Sequence, residues 1–242
     1  MDFSYYSYQK MIRMLQIHHY QFCGYDNYEQ YDRCVILRHD IDNSLPAALE
    51  LANLEDSMGV HSTFFVLVTS DFYNVFSKES REILESIQGM GHFIGLHFDE
   101  AVYGNNMSND QMINAIKSEA SILAASIKQT VKYVSMHRPS KALLDENLYI
   151  PGMINSYGKV FFRDFKYLSD SRCHWREPIE DIVQSEQYDR LHILTHAFWY
   201  HEQNQTLSET IEAYLRKGNV DRYEHMLNNI TDLPRIINKG LL

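Results

Sequence analysis

The sequence is poor in the features that mark secreted, membrane and nucleic-acid-binding proteins. Its three cysteines, Cys23, Cys34 and Cys173, are odd in number and widely spaced, which excludes a disulfide framework and a paired-cysteine zinc site and indicates reduced thiols. The longest aliphatic or aromatic run, 64–68, is far shorter than the roughly 20 residues of a transmembrane helix. The net charge of −10 argues against a nucleic-acid or anionic-membrane partner. The first residues lack the basic and apolar regions of a signal peptide, so we expect a cytoplasmic protein.

The length and the apolar content suit one globular domain. The chain has 242 residues, of which 45% are hydrophobic, and no internal repeat, low-complexity tract or Pro/Gly-rich linker divides it. We predict a single domain, 1–242, with a core over about 35–200 and helices from both ends packed on it. The twelve histidines are unusual beside only 22 lysines and arginines. Histidine is the commonest metal ligand and the commonest acid–base group, so the question is which of the twelve carry chemistry.

Apolar runs of strand length alternate with helical patterns along the chain. Strands are predicted over 35–42, 62–68, 93–97, 131–137, 160–165 or slightly later, and 191–196. Helices are predicted up to about residue 20, over 44–59, 78–88 and 108–127, and from 208 onward. This alternation implies parallel βαβ units, and six or more strands in one domain predict an α/β fold that forms a closed or nearly closed (β/α) barrel.

Polar side chains gather where the predicted strands end, which is the active-site edge of such a barrel. These residues are Asp40, Asp42, His97, His137, Arg138, Asp170 and His196. Asp40 and Asp42 are two residues apart on one strand, so their side chains share a face. Such a pair suits a metal-assisted hydrolase, with one carboxylate on the metal and the other as general base. The alternative is that the carboxylates cap the following helix.

Strand geometry separates the histidines. His92 lies about 16 Å from His97 along an extended strand and belongs to the strand's start. His192 is likewise too far from the edge that His196 reaches. His39 faces away from Asp40 and is predicted to be packed. The remaining histidines, apart from His137, are interpreted as surface or core residues.

Several segments in order resemble the polysaccharide deacetylases of carbohydrate esterase family 4. The matching segments are 37–42, 62–65, 91–97, 137–139, 167–170 with Trp175, and 194–196. The first of them, with its Arg-His-Asp-hydrophobic-Asp pattern, is similar to a divergent intracellular branch associated with surface-polysaccharide biosynthesis. The resemblance implies an irregular (β/α) barrel, and it implies hydrolase chemistry on carbohydrate with a metal held by one Asp and two His.

The resemblance also implies a role for each matching residue. Asp40 corresponds to the base, Asp42 and His97 to metal ligands, Arg138 to the arginine that holds the base, and His196 to the general acid; Asp170 and Trp175 correspond to the motif that tunes the late histidine and walls the pocket. The metal is expected to be zinc, with Fe²⁺, Co²⁺ or Mn²⁺ also compatible with an Asp-His-His set.

Two departures from the family pattern bear on the site. Ile41 separates two aspartates that are usually adjacent, so the assignment of base and ligand between Asp40 and Asp42 stays open. Ala101 stands where the second metal histidine is usual. The third ligand must then come from elsewhere: His137 is the candidate and Asp99 the fallback.

The sequence therefore supports three functions. The first is a metal-dependent deacetylase that removes an N-acyl group, expected to be acetyl, from an amino sugar in a nucleotide sugar or a lipid-linked glycan. The second is a catalytically degenerate carbohydrate-binding relative, and the third is another C–N amide hydrolase on the same scaffold. Trp175 and Trp199 offer flat surfaces for a sugar ring, although core or subunit packing explains them as well.

Overall fold

The computed structural model of the chain describes residues 1–104 and 107–241. Within this range strands alternate with helices, as the sequence predicts. The strands are β1 (Gln21–Phe22), β2 (Cys34–Ile41), β3 (Thr63–Leu67), β4 (Phe93–Phe98), β5 (Tyr133–Met136), β6 (Ile154–Asn155), β7 (Lys166–Ser169) and β8 (Arg190–Thr195). The α-helices are α1 (Tyr5–Ile17), α2 (Leu45–Ser57), α3 (Lys78–Gly89), α4 (Asn109–Ile127), α5 (Lys141–Asp145), α6 (Ile179–Ser185), α7 (Leu207–Leu227) and α8 (Leu233–Ile236).

All strand pairs are parallel, and the sheet runs in the order β6-β5-β4-β3-β2-β8-β7, with β1 added beside β2. The sheet is curled. This is shown by a hydrogen bond of 2.6 Å from Arg38 on β2 to Ser156, which follows β6 four strands away. The prediction of an irregular (β/α) barrel in one domain is confirmed in this form: a curled, incomplete barrel of parallel strands.

Strand β2 lies at the centre of the sheet and is buried along its whole length. Its alternate residues Arg38 and Asp40 face the inside of the barrel, whereas His39 packs outside against α2. The outward His39 donates from Nε2 to Glu55 at 2.9 Å, and its Nδ1 atom is hydrogen-bonded to Thr195 Oγ1 at 2.6 Å. The prediction that His39 is a packed histidine is therefore confirmed.

A close approach of strands explains one glycine in the barrel. A Cβ atom at Gly95 would lie 2.5 Å from the ring of Phe65 and 3.1 Å from the carbonyl oxygen of Tyr133. The interior of the barrel is filled by such aromatic rings, so β4 needs a residue without a side chain here. This allows the strand to continue to His97 in register with its neighbours.

Local sequence signals placed several helix starts correctly. The Ser44 side chain accepts from the amide of Ala47 at the start of α2, and Ser108 with Gln111 forms the predicted capping box of α4. The strand predicted over 160–165 or slightly later lies at the later position, as β7, and residues Val160–Asp164 form a π-helical turn instead. An aromatic run of this length does not distinguish the two by periodicity.

Among the described residues no helix is both long enough and apolar enough to cross a membrane.

Helix α4 buries the carboxyl group of Glu119, which has a hydrogen-bond partner on only one of its two oxygen atoms among the described residues. Glu119 is almost fully buried; its Oε1 accepts from the Tyr103 hydroxyl at 2.7 Å, while its Oε2 has no hydrogen-bond partner among the described residues. Burial raises the pKa of Glu119 to about 7.

We expect Glu119→Gln to stabilise the protein above pH 7. The pKa of Glu119 is raised on folding, so its contribution to stability is present below the unfolded pKa and is lost as the pH rises through about 7. The free energy of unfolding of the variant should exceed that of the wild type by about 2 kcal/mol at pH 9, and the gain should vanish near pH 4. Urea unfolding at both pH values measures this, with Glu50→Gln, an exposed change on α2, as the control; equal gains at both pH values would contradict the explanation.

Candidate active site

Four residues at the carboxyl ends of the strands bring their side chains together. Asp42 follows β2 directly, His97 lies near the end of β4, His137 follows β5 and His196 follows β8. The carboxyl ends of parallel strands meet at one edge of a sheet, so residues that are far apart in sequence become neighbours here. The predicted convergence of these residues is thus present in the structure.

Three of the four residues form a compact triangle of ligand atoms. Asp42 Oδ1 lies 3.2 Å from His97 Nε2 and 3.2 Å from His137 Nδ1, and the two histidine nitrogens are 3.1 Å apart. In a tetrahedral site with bonds of about 2.0–2.1 Å, neighbouring ligand atoms lie about 3.3 Å apart. The triangle therefore has the size that a small divalent cation requires.

The hydrogen bonding and the ionisation of Asp42 are consistent with a cation site. Its Oδ1 atom is buried and makes no hydrogen bond with any described residue. Burial by itself raises the pKa of Asp42, but His137, His97 and His196 outweigh it and hold the pKa well below the usual range. An ionised oxygen without a donor, facing two imidazole nitrogens, fits a bound cation of the kind that accepts nitrogen and oxygen ligands.

Ser135 on β5 fixes the orientation of His97. The Nδ1 atom of His97 lies 2.6 Å from Ser135 Oγ, which leaves Nε2 directed at Asp42. Ser135 Oγ in turn donates to Asp40 Oδ1 at 3.3 Å. A second partner of this kind sets the ring position of a ligating histidine, and it also links the metal candidate to the neighbouring carboxylate.

Asp40 is held inside the barrel by Arg38. Arg38 Nη2 donates to Asp40 Oδ2 at 3.0 Å, and the guanidinium also donates to Ser156 and to the Tyr157 hydroxyl. Burial raises the pKa of Asp40, but the charge of Arg38, followed by His97 and His196, outweighs it and lowers the pKa. Asp40 is thus kept ionised beside the ligand triangle, with its Oδ2 atom 3.7 Å from His97 Nε2.

The predicted contact between Arg138 and the base is wrong. The Arg138 side chain is 74% exposed and pairs with Asp99 at 3.2 Å, away from Asp40. Its backbone has a positive φ of 45° two residues after β5. The arginine that holds Asp40 is Arg38, whose signal in the sequence was its position two residues before Asp40 on the same strand face.

His196 is oriented by a buried carboxylate. Asp170 Oδ1 lies 2.6 Å from His196 Nδ1, and Asp170 Oδ2 accepts from the His196 amide at 3.0 Å and from the Tyr200 hydroxyl at 3.2 Å. Burial alone lowers the pKa of His196, but Asp170, Asp42 and Asp40 outweigh it and raise the pKa to about 9. The free Nε2 atom faces the site, 4.0 Å from Asp42 Oδ2.

The distances in the structure bear on two questions that the sequence left open: which residue is the third ligand, and which of Asp40 and Asp42 is a ligand. His137 reaches the triangle, whereas Asp99 turns away: its Oδ1 caps the short helix at Glu100–Tyr103 by accepting from the Ala101 amide at 3.0 Å. Asp42 does not cap α2, because Ser44 does. The structure thus groups Asp42 with the two histidines and leaves Asp40 beside them.

The two tryptophans lie on segments that follow His196 and Asp170. The ring of Trp199 lies 6.3 Å from the ring of His196, on the short helix that follows β8. Trp175 is half-buried against the apolar core, on the loop after Asp170. Both indole nitrogens are buried without a hydrogen-bond partner among the described residues.

No protein-family model and no curated protein matches the chain. Similar solved structures come from the family that the sequence motifs resemble. They include a family 4 acetyl xylan esterase from Clostridium thermocellum in complex with a cobalt ion (16% identity, 67% of this chain and 73% of that chain, TM-score 0.44). A family 4 carbohydrate esterase from Bacillus anthracis (18%, 86% and 86%, 0.45) and a peptidoglycan deacetylase mutant from Bacillus subtilis (15%, 81% and 97%, 0.46) are also similar. Similarity of this degree assigns no role to any residue of this chain.

We expect the purified protein to bind one divalent metal ion per chain at the triangle. His137→Ala removes one of the three ligand atoms, so its metal content after mild dialysis should fall at least tenfold. Elemental analysis of the wild type and the variant measures this directly.

His174→Ala is the control, because His174 is an exposed histidine outside the triangle. Equal metal content in wild type and His137→Ala would remove His137 from the site.

Proposed function

We propose that the protein is a metal-dependent hydrolase that removes an N-acyl group, in the first instance N-acetyl, from an amino sugar. The observation that carries the proposal is the triangle of ligand atoms at 3.1–3.2 Å beside a carboxylate held by Arg38. The family resemblance in the sequence supports the choice of an amino sugar. The proposed cation is zinc, with Fe²⁺, Co²⁺ or Mn²⁺ as substitutes.

Asp42, His97 and His137 would hold the cation. When bound, it supplies Lewis-acid chemistry, polarising an amide carbonyl and lowering the pKa of a water molecule. Three protein ligands are the number that catalytic zinc sites use, with a water molecule or the substrate as the fourth ligand. Asp40 and His196 both border the triangle, at 3.7 Å from His97 Nε2 and at 4.0 Å from Asp42 Oδ2 respectively.

Asp40 acts as the base in this proposal and His196 as the acid. Asp40 accepts a proton from the attacking water as the new C–O bond forms, and Arg38 and Ser135 keep it ionised and in place. His196 donates a proton from Nε2 to the amine nitrogen as the C–N bond breaks. Asp170 holds the imidazole by Nδ1 and stabilises its protonated form.

The biological setting follows from the resemblance to the intracellular branch. We propose a cytoplasmic role in surface-polysaccharide biosynthesis, with the amino sugar carried on a nucleotide or on a lipid-linked glycan. Trp199, next to His196, is proposed to contact the sugar, with Trp175 as a further wall of the pocket.

Asp40→Asn is expected to keep the metal and to lose turnover. An amide at this position accepts no proton from water, so kcat for acetate release should fall about 10²- to 10⁴-fold while metal content stays near one per chain. Acetate release from a panel of N-acetylated sugars, with elemental analysis of the same samples, tests this.

Asp42→Asn is the matched variant, and it should lose both metal and activity. Full turnover in Asp40→Asn would show that the base is assigned wrongly. Absence of metal and of acetate release in the wild type, with zinc or cobalt added, would leave the non-catalytic carbohydrate-binding alternative.

The two arginines give a second test. Arg38→Gln removes the charge that holds Asp40, and misplacement of a reacting group by about 1 Å costs about 100-fold in rate. We therefore expect kcat to fall about 100-fold in Arg38→Gln and less than twofold in Arg138→Gln.

Circular dichroism and metal analysis of both variants separate this effect from unfolding or metal loss. The reverse order of effects would restore Arg138 as the residue that positions the base.

A further inference from the structure

A buried polar cluster lies on the outer side of the sheet, and Glu55 of α2 is at its centre. Glu55 Oε1 accepts from the Tyr8 hydroxyl and from His39 Nε2, the latter at 2.9 Å. Its Oε2 atom accepts from the Ser62 hydroxyl at 2.6 Å. His39 Nδ1 is in turn hydrogen-bonded to Thr195 Oγ1 at 2.6 Å. All five side chains are buried, and we call this set of residues the outer network.

The carboxylate of Glu55 is ionised although it is shielded from water. Burial by itself raises its pKa, but His39, followed by His92 and Ser62, outweighs burial and lowers the pKa of Glu55. A buried ion pair is seldom more stabilising than apolar residues of the same volume, so stability alone does not account for the cluster. Its directional hydrogen bonds can instead hold neighbouring segments in one position.

One end of the outer network holds the strand that leads to His196. Thr195 is the last residue of β8 and pairs in register with His39 of β2. The chain stays extended at His196, with φ −117° and ψ 111°. Successive side chains of an extended chain point to opposite sides, so His196 points inward directly after the outward Thr195. The bond between His39 and Thr195 therefore fixes the backbone from which His196 projects.

The other end reaches the carboxylate that orients His196. The ring of Tyr8 packs against the ring of Tyr200 at 4.9 Å, with an angle of 72° between the ring planes. The Tyr200 hydroxyl donates to Asp170 Oδ2 at 3.2 Å, and Asp170 Oδ1 lies 2.6 Å from His196 Nδ1. The outer network is thus connected to His196 by two routes, one through the backbone and one through the Asp170 carboxylate.

We propose that His39 and Glu55 are positioning residues for the acid His196. Both are fully buried outside the barrel, so they act on the reaction through the residues that they hold. A displacement of about 1 Å in a reacting group costs about 100-fold in rate, so a small shift of the imidazole is sufficient to slow proton transfer to the amine. This inference rests on the proposed function and deepens it, because it names residues that act through His196.

Thr195→Val tests the proposal, because valine has the shape of threonine without the hydroxyl that His39 holds. On the N-acetylated sugar that the wild type hydrolyses fastest, we expect kcat for acetate release to fall about tenfold, with KM and metal content within about twofold of the wild type. Thr195→Ser restores a hydroxyl and should recover most of the loss. Tyr8→Phe removes only the bond to Glu55 and should lower kcat about threefold.

Thr210→Val is the matched control. Thr210 is 3% exposed and its Oγ1 lies 3.0 Å from His201 Nε2, so the change removes a buried bond of the same kind outside the outer network. We expect kcat of this variant to stay within about twofold of the wild type, with circular dichroism showing that every variant is folded. Equal losses in Thr195→Val and Thr210→Val would overturn the proposal, as would full kcat in both Thr195→Val and Tyr8→Phe.

A double-mutant cycle with His196→Ala separates positioning from a general effect on the barrel. If Thr195 acts through His196, Thr195→Val should change the residual acetate release of His196→Ala by less than about twofold. A loss of about tenfold in both backgrounds would reject the positioning role. A wild type that releases no acetate would reject the proposed function itself, whereas an active wild type with an unaffected Thr195→Val variant would reject only the role of the outer network.

Discussion

Two carboxylates on one face of a buried strand constrain the whole site. Asp40 and Asp42 extend the inner face of β2, about 7 Å apart along the strand, in a place where an unpaired charge is costly. Positive charge must therefore come from the surroundings. Arg38 supplies it to Asp40 from the same strand, and a cation held by Asp42, His97 and His137 would supply it to Asp42, with the nitrogen atoms of His97, His137 and His196 arriving from three other strands. The parallel order of the strands is what brings those donors to one edge.

Strand β2 serves two separate polar systems through the alternation of its side chains. Inside, Arg38 and Asp40 join the active-site network. Outside, His39 connects Thr195 of β8 with Glu55 of α2, and Glu55 also accepts from Ser62 at 2.6 Å and from Tyr8. Because Thr195 directly precedes His196, the outer network helps to fix where β8 delivers that residue. A buried carboxylate with this many donors is satisfied, as a buried charge must be.

The position of His137, the third residue of the metal candidate, illustrates how a site can be completed from a different strand. Ala101 lies on the exposed short helix after β4 and brings no ligand. His137 enters from the end of β5, which pairs with β4, and its Nδ1 atom lies 3.1 Å from His97 Nε2. Adjacent parallel strands end side by side, so neighbouring strand ends can supply ligand atoms to one site.

The sequence by itself determined the fold class, most element positions and the set of residues at the carboxyl edge, because these follow from local periodicity, capping residues and the two-residue repeat of a strand. The same two-residue repeat predicted that the side chains of His39 and Asp40 face opposite sides of the strand. The sequence left the third ligand open between His137 and Asp99, it assigned to Arg138 the contact that Arg38 makes, and it did not predict the π-helical turn at Val160–Asp164. Each of these depends on distances between segments 30 or more residues apart, or on a backbone turn such as the positive φ of Arg138. Only the tertiary structure decided them, since contacts across a curled sheet are set by packing and register and not by any local pattern.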